Sequence, residues 1–382
     1  MWLSPDVTMG AVAAEASPPP AAVAVSEAVA SKVVAVVVTH DRPVLLNECL
    51  RALGEQRRPP DLVIVVDNAS GPETTAVIAR FDGVRTLCLA SNLGGAAGFQ
   101  RGMAAALADG ADHVWLMDDD GRPEDPACLE RLLAVADLLQ ADMAAPLVVD
   151  AADRDRLAFP IRLHGRTLFT ADAVSHLPVI DGFAHLFNGV LVTAALIRRI
   201  GQPDPRFFIR GDEVEFLYRA RHAGARIVLH TATRFVHPSS AAEIFPIMFG
   251  AFYAVAPPRG FKRFHQFRNR AHIFRAYRMW VFLGADILRY GWFFLVTQRG
   301  DMRGLLEWAK ATAAGLHGGF MKPPHPAGGQ GVRGPDTAPR HRELSPVRAV
   351  VGDDPPQRVA SRQEPSHDAA DPVGRRTPGR TP

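Results

Sequence analysis

From Lys32 the chain alternates between two hydrophobic patterns. Residues 32–39 (KVVAVVVT) form an unbroken β-branched run, the pattern of a strand buried on both faces. Residues 43–56 switch to helical spacing, with Pro43 in the first turn. The alternation then repeats. It predicts strands over 61–67 (DLVIVVD), 84–90, 113–118 (HVWLMD) and 143–149, with helices over 72–81, 94–110 and 126–139. Strand and helix in turn predict an α/β domain with a doubly wound, mainly parallel sheet. Ligands of such sheets bind beyond the carboxyl ends of the strands.

Those ends carry polar groups throughout: Thr39-His40-Asp41, Asp67-Asn68, Ser91-Asn92 and Asp118-Asp119-Asp120. The three adjacent aspartates repel one another unless a positive group offsets them. Asp-x-Asp at a strand end can offer two carboxylates to Mg²⁺ or Mn²⁺, which then keeps positions free for phosphates. The plainer reading is a capped turn with solvated acids. Asp67 and Asn68 can hydrogen-bond a base or ribose, or simply form an Asx turn before Gly71-Pro72. Gly94, Gly95 and Gly98 permit close backbone approach at a helix start, either to a ligand or to the sheet. Their spacing, and their place after the third strand, exclude a dinucleotide fingerprint.

Further on, Asp212, Glu213 and Glu215 open a helix in "GDEVEFLYRARHAG". Acids there suit the helix dipole, and one held there can also act as a general base. The alternating strand "VLHTATRFVHPSS" (228–240) ends in His237, a structural histidine or the ligand that completes a metal site begun by two aspartates.

Composition sharpens the organisation. Of 382 residues, 47% are apolar and 22% charged, enough for a sizeable core, and the net charge of +3 selects no partner. Cys49, Cys88 and Cys128 match no zinc or redox spacing and read as reduced thiols of a cytosolic protein. Residues 1–31 lack a basic start and an apolar core, so they predict a disordered leader, not a signal peptide. Residues 321–382, dense in Pro, Gly and Arg, predict a disordered tail. The folded part divides into an α/β domain over 32–255 and a helical extension over 256–320. In that extension Asp286 and Arg289 interrupt "MWVFLGADILRYGWFFLV" (279–296), which argues against a clean transmembrane helix. Between Arg259 and Lys310 there are 11 Lys/Arg against three acids, with aromatic residues interleaved. Such a segment fits an anionic membrane surface, or packs on the α/β domain or a second subunit. No nucleic-acid module accompanies it.

"VVVTHDRP", "VVDNAS", "NLGGAAGFQRG", "WLMDDD", "GDEVEF" and "FVH" occur in the order found in inverting, GT-A-fold glycosyltransferases of family 2, which this sequence resembles over roughly 33–240 and into "QFRNRAHIFRAY" (266–277). Within the family it is most similar to the initiating galactofuranosyltransferases of bacterial cell-wall galactan, and rhamnosyltransferases share much of the pattern. The resemblance implies a UDP-sugar donor, a lipid-linked glycan acceptor at the inner leaflet of the cytoplasmic membrane, and Mn²⁺ or Mg²⁺. It assigns Thr39, Asp41, Arg42 and Asp67, with Asn68, to the nucleotide. It sets Asn92, Gly94, Gly95 and Asp119 at the donor, and Asp118, Asp120 and His237 at the metal. The base falls on Glu213 by position, with Asp212 as the alternative. A dTDP-rhamnose donor, a catalytically silent scaffold in a cell-wall complex, and self-association into a homo-oligomer stay open.

Overall fold

The computed structural model describes residues 31–318, so apart from Ser31 the expected leader and tail lie outside the described residues. The first half follows the expected alternation: β1 (Val33–Thr39), α1 (Pro43–Gly54), β2 (Leu62–Asp67), α2 (Pro72–Ile78), β3 (Val84–Cys88), α3 (Gly94–Ala108), β4 (His113–Asp118), a short β5 (Arg122–Pro123), α4 (Cys128–Leu138) and β6 (Met143–Asp150). Then come β7 (Arg156–Leu163), β8 (Arg166–Thr170), α5 (Asp172–Ser175), β9 (Val179–Asp181), β10 (Asn188–Thr193), α6 (Ala194–Ile200), α7 (Asp212–His222) and β11 (Ile227–His237).

The sheet runs β3-β2-β1-β4-β10-β6-β11-β5. Its β3-β2-β1-β4 half is parallel, with β1 between β2 and β4. Beyond β4 the mainly parallel sheet takes in an antiparallel strand. β10 lies between β4 and β6, antiparallel to both, so β6 is not the neighbour of β4. Periodicity marks where strands occur but carries no information on their order.

The unbroken run of β1 has a physical reason. Val34, Val36 and Val38 point into one core with Phe99, Met103 and Phe216. Val33, Ala35 and Val37 point into the other, with Leu46, Leu50, Leu53 and Leu129. A strand covered by helices on both faces gains nothing from alternation. Helix α3 lies so close to β1 that a Cβ at Gly98 or Gly102 would strike Val38 or Val36. The expected close approach at Gly98 is therefore to the sheet.

After β11 a hairpin of β12 (Ile244–Ile247) and β13 (Phe252–Val255) leads into α8 (Phe261–Ala276), α9 (Trp280–Trp292) and α10 (Met302–His317). A π-helical turn, Phe293–Thr297, continues α9. The hairpin shares a core with these helices through Ile247, Ala254, Phe267, Tyr290, Phe294 and Trp308. Among the described residues one helical run, Trp280–Thr297, is long and apolar enough to cross a membrane by length and composition. Its Asp286 is buried against the protein, ion-paired with Arg270 of α8 and with Arg289.

Candidate active site

The site begins where the sheet divides. β1 and β4 are paired with Val38 opposite Asp118, and the chain leaves them in different directions. Across that gap the Thr39 hydroxyl donates to Asp119 Oδ2 at 2.7 Å. Arg42, in the turn after β1, donates from Nη1 to Asp119 Oδ1 at 2.9 Å and to Asp120 Oδ2 at 2.6 Å. Arg42 is thus a positive partner of the aspartate triplet, a role the sequence reading gave to a metal alone. One guanidinium does not balance three carboxylates. Burial, with Asp120 and Asp119 beside it, pushes Asp118 well above the usual carboxylate range. Burial raises Asp119 too, against the pull of Arg42 and Thr39. At Asp120 burial is outweighed by His237 and Arg42, which hold it down at about 2.

His237 arrives through the other end of the sheet. β5 pairs with β11, setting Arg122 opposite Val236, and this draws the turn after β4 toward the end of β11. His237 Nε2 lies 3.1 Å from Asp120 Oδ1, a buried oxygen with no hydrogen bond of its own. His237 Nδ1 lies 2.7 Å from the Pro238 carbonyl, which only accepts, so Nδ1 carries a proton. Nε2 and Oδ1 then need a second proton or a cation between them. An imidazole nitrogen beside a carboxylate oxygen suits Mn²⁺. Two of the three expected ligands therefore meet. Among the described residues no three His, Cys, Asp or Glu side chains are arranged to hold a metal, so Asp118 does not join them here.

The second acidic cluster faces the first. The loop before α7 turns sharply, with positive φ at Phe208, Arg210 and Gly211. Asn269 of α8 fastens it, donating from Nδ2 to the carbonyls of Phe207 (2.9 Å), Ile209 (3.0 Å) and Arg210 (2.5 Å). Behind it, Glu215 holds a buried ion pair with Arg219 and accepts from the Tyr277 hydroxyl. The helical extension thereby sets the first turn of α7. Asp212 is buried, and burial together with Glu213 pushes its carboxyl well above the usual range. Glu213 is more exposed, and its Oε2 accepts the Gly211 N–H at 2.8 Å. Both line one cavity of about 620 Å³ with Asp118, Asp119, Asp120 and His237. The two acidic clusters, far apart in sequence, converge as expected.

Comparison with known proteins fits this geometry. The profile of Glycosyl transferase family 2 matches residues 34–187. Galactofuranosyltransferase GlfT1 of Mycobacterium tuberculosis is 41% identical over 300 residues, covering 76% of this chain and 97% of that protein. The protein of the same name from Mycolicibacterium smegmatis is 39% identical over 298 residues, covering 76% and 98%. The chain belongs to glycosyltransferase family 2. The fold of this glycosyltransferase is the GT-A-like mixed α/β arrangement, with a mostly parallel central sheet and a helical C-terminal region. Among solved structures, Staphylococcus aureus TarS 1-349 in complex with UDP aligns over 63% of this chain and 64% of its own, at 15% identity and TM-score 0.44. The mannosyltransferase PcManGT of Pyrobaculum calidifontis, in complex with GDP-Man and Mn²⁺, aligns over 84% and 80%, at 14% identity and TM-score 0.45.

The remaining expected residues of the glycosyltransferase divide in two. Thr39, Arg42, Asn68, Asn92, Gly94 and Gly95 line the cavity. Asn68 Oδ1 accepts the Leu93 N–H at 2.8 Å and Asn92 Oδ1 accepts that of Gly94 at 2.9 Å, so both also shape the start of α3. Gly94 has φ +83° and lies against the Phe208 carbonyl, a place with no room for a side chain. Asp41 and Asp67 do not line the cavity. Asp41 Oδ1 accepts the Gly71 N–H, and Asp67 Oδ1 accepts the N–H of Ser70 three residues on, which closes a local turn. His185, Phe159, Phe183, Glu243 and Lys262, which no motif in the sequence marks, also stand on the cavity wall. Burial pushes His185 well below the usual imidazole range, and its Nε2 is buried without a hydrogen bond. Its segment, "GFAHLFNGV", has no period and no motif to announce it.

Proposed function

We propose that this glycosyltransferase moves galactofuranose from UDP-galactofuranose onto a polyprenyl-diphosphate-linked glycan in cell-wall galactan synthesis, at the cytoplasmic face of the membrane. The observation that carries the chemistry is the convergence of Asp118–Asp120 and Asp212–Glu213 on one cavity. The sugar and acceptor rest on the 41% identity that spans 97% of a galactofuranosyltransferase.

The reaction is a single in-line displacement. Glu213 takes the proton of the acceptor hydroxyl as that oxygen attacks the anomeric carbon, and the nucleoside diphosphate departs from the opposite side. Asp212, whose carboxyl is pushed well above the usual range by burial and by the adjacent Glu213, keeps its proton and leaves the role of base to Glu213. Thr39, Arg42 and Asn68 bind the nucleotide, while Asp41 and Asp67 act there by holding the loops that carry them. Asn92, Gly94, Gly95 and Asp119 face the donor sugar and diphosphate. Asp120 and His237 would hold Mn²⁺ or Mg²⁺, with Asp118 the third ligand that the family resemblance implies. Bound there, the cation supplies Lewis-acid stabilisation of the leaving diphosphate.

The test is nucleotide release from a panel of sugar nucleotides, with and without a rhamnosyl glycolipid acceptor. The expected result is UDP release from UDP-galactofuranose that requires the acceptor. Release from dTDP-rhamnose alone would overturn the sugar while keeping the mechanism. Folded protein without turnover on any donor would make the chain a scaffold and overturn the proposal.

A further inference from the structure

Helix α9 is inside out for a helix at a protein–water boundary. Such a helix ordinarily turns apolar residues to the core and charges to solvent. Here the charge is inside: Asp286 is 3% exposed and closed off by Arg270 and Arg289. The apolar residues are outside. Val281, Ala285, Leu288 and Leu295 recur at helical spacing along one exposed stripe, Val281 at 84% and Leu288 at 68% exposure. Trp280, Ile287 and Val296 widen it, and Met302 and Leu306 of α10 are exposed as well. An apolar surface this continuous is costly in water and marks a contact surface.

Two features identify the contact. The first is charge. Arg278 stands just before α9 and Arg299 just after its π-helical turn, both exposed and without an ion pair among the described residues. Asp286, Asp301 and Glu307, the acids of this region, are each already paired with arginine. An apolar stripe with unpaired cations at both ends matches the boundary between acyl chains and anionic headgroups. The second is the β12–β13 hairpin. At its tip Phe249 is 99% exposed, its ring 5.7 Å from that of Trp292 on α9. At its base Ile244 and Val255 line the catalytic cavity. One short hairpin therefore joins the apolar surface to the site.

We infer that the outer surface of α9, with the Phe249 hairpin tip, lies in the plane of an anionic lipid bilayer and presents the cavity to a lipid-borne acceptor. The helix lies on the membrane and does not cross it, because its other face is committed to the Asp286 ion pairs and to Tyr290 and Phe293 in the protein core. The choice of a lipid-borne acceptor rests on the proposed function; the membrane contact itself rests only on these helices and the hairpin.

The test is co-sedimentation of the full chain with vesicles of phosphatidylcholine alone and of an equal mixture with phosphatidylglycerol. Binding is expected to the mixture and not to phosphatidylcholine alone. The double variant Val281→Ser/Leu288→Ser is expected to weaken it about tenfold or more. Arg278→Gln/Arg299→Gln is expected to weaken it about tenfold and flatten its salt dependence. Both variants should keep the thermal midpoint and UDP release with a short, water-soluble acceptor, since all four side chains are exposed. Absence of binding, or variants that bind as well as the parent, would overturn the inference. So would a dimer in solution that the serine variant splits, which would make this surface a contact between two copies. Binding without turnover, or turnover without binding, separates this inference from the proposed function.

Discussion

Replacing Glu213 with glutamine is expected to lower kcat by about a thousandfold, while Asp212→Asn costs about tenfold or less. The two acids are adjacent, but their surroundings differ. Asp212 is buried, and both desolvation and Glu213 favour its neutral form. A neutral acid donates a hydrogen bond to its neighbour, and asparagine can do the same. Glu213 is the more exposed, and the Gly211 N–H helps hold its carboxylate at the start of α7. Glutamine fits there but accepts no proton. The fold should report the same asymmetry. The folded-state value of Asp212 lies above its unfolded value, so its contribution to stability is present at low pH and is lost as pH rises through the folded value. Asp212→Asn removes that loss, and its thermal midpoint should fall less than the parent's between mildly acidic and neutral pH. Comparable losses of kcat in both variants would contradict the assignment.

Asp120→Ala is the second large effect, an expected loss in kcat of about a thousandfold, matched by a chelator and reversed by Mn²⁺ in the parent protein. Asp120 is the side chain on which Arg42 and His237 meet. Its removal leaves His237 Nε2 with no carboxylate beside it and returns Arg42 to Asp119 alone. The Mn²⁺ paramagnetic resonance signal gives a readout independent of turnover: the parent should bind the ion and Asp120→Ala should not. Full activity in chelator would place the neutralising charge on Arg42 and on cations of the cavity wall such as Lys262.

Much of this site could be read along the chain because β1 and β4 are buried on both faces. Their hydrophobic runs end abruptly, and the first polar residues past each end, Thr39 and Asp118–Asp120, are those that meet across the gap. The acidic start of α7 was legible for the same reason, as a break between loop and helix. What stayed hidden depends on partners distant in sequence. Arg42 lies 77 residues from Asp119, and no local pattern couples them. The insertion of β10 between β4 and β6 is likewise a matter of strand order. Asn269, which fastens the loop before Asp212, sits inside an ordinary basic helix. Asp286 counted in the sequence against a membrane helix; its burial against Arg270 of α8 turns the apolar stripe of α9 outward instead.

The central claim is that a carboxylate base and a leaving-group site oppose each other across one cavity. The anomeric configuration of the glycoside formed by the purified protein, read by nuclear magnetic resonance, tests it most directly. A product inverted relative to the sugar nucleotide is the result predicted for single displacement assisted by Glu213. A product of retained configuration would require two displacements or a front-side path, and would contradict the account.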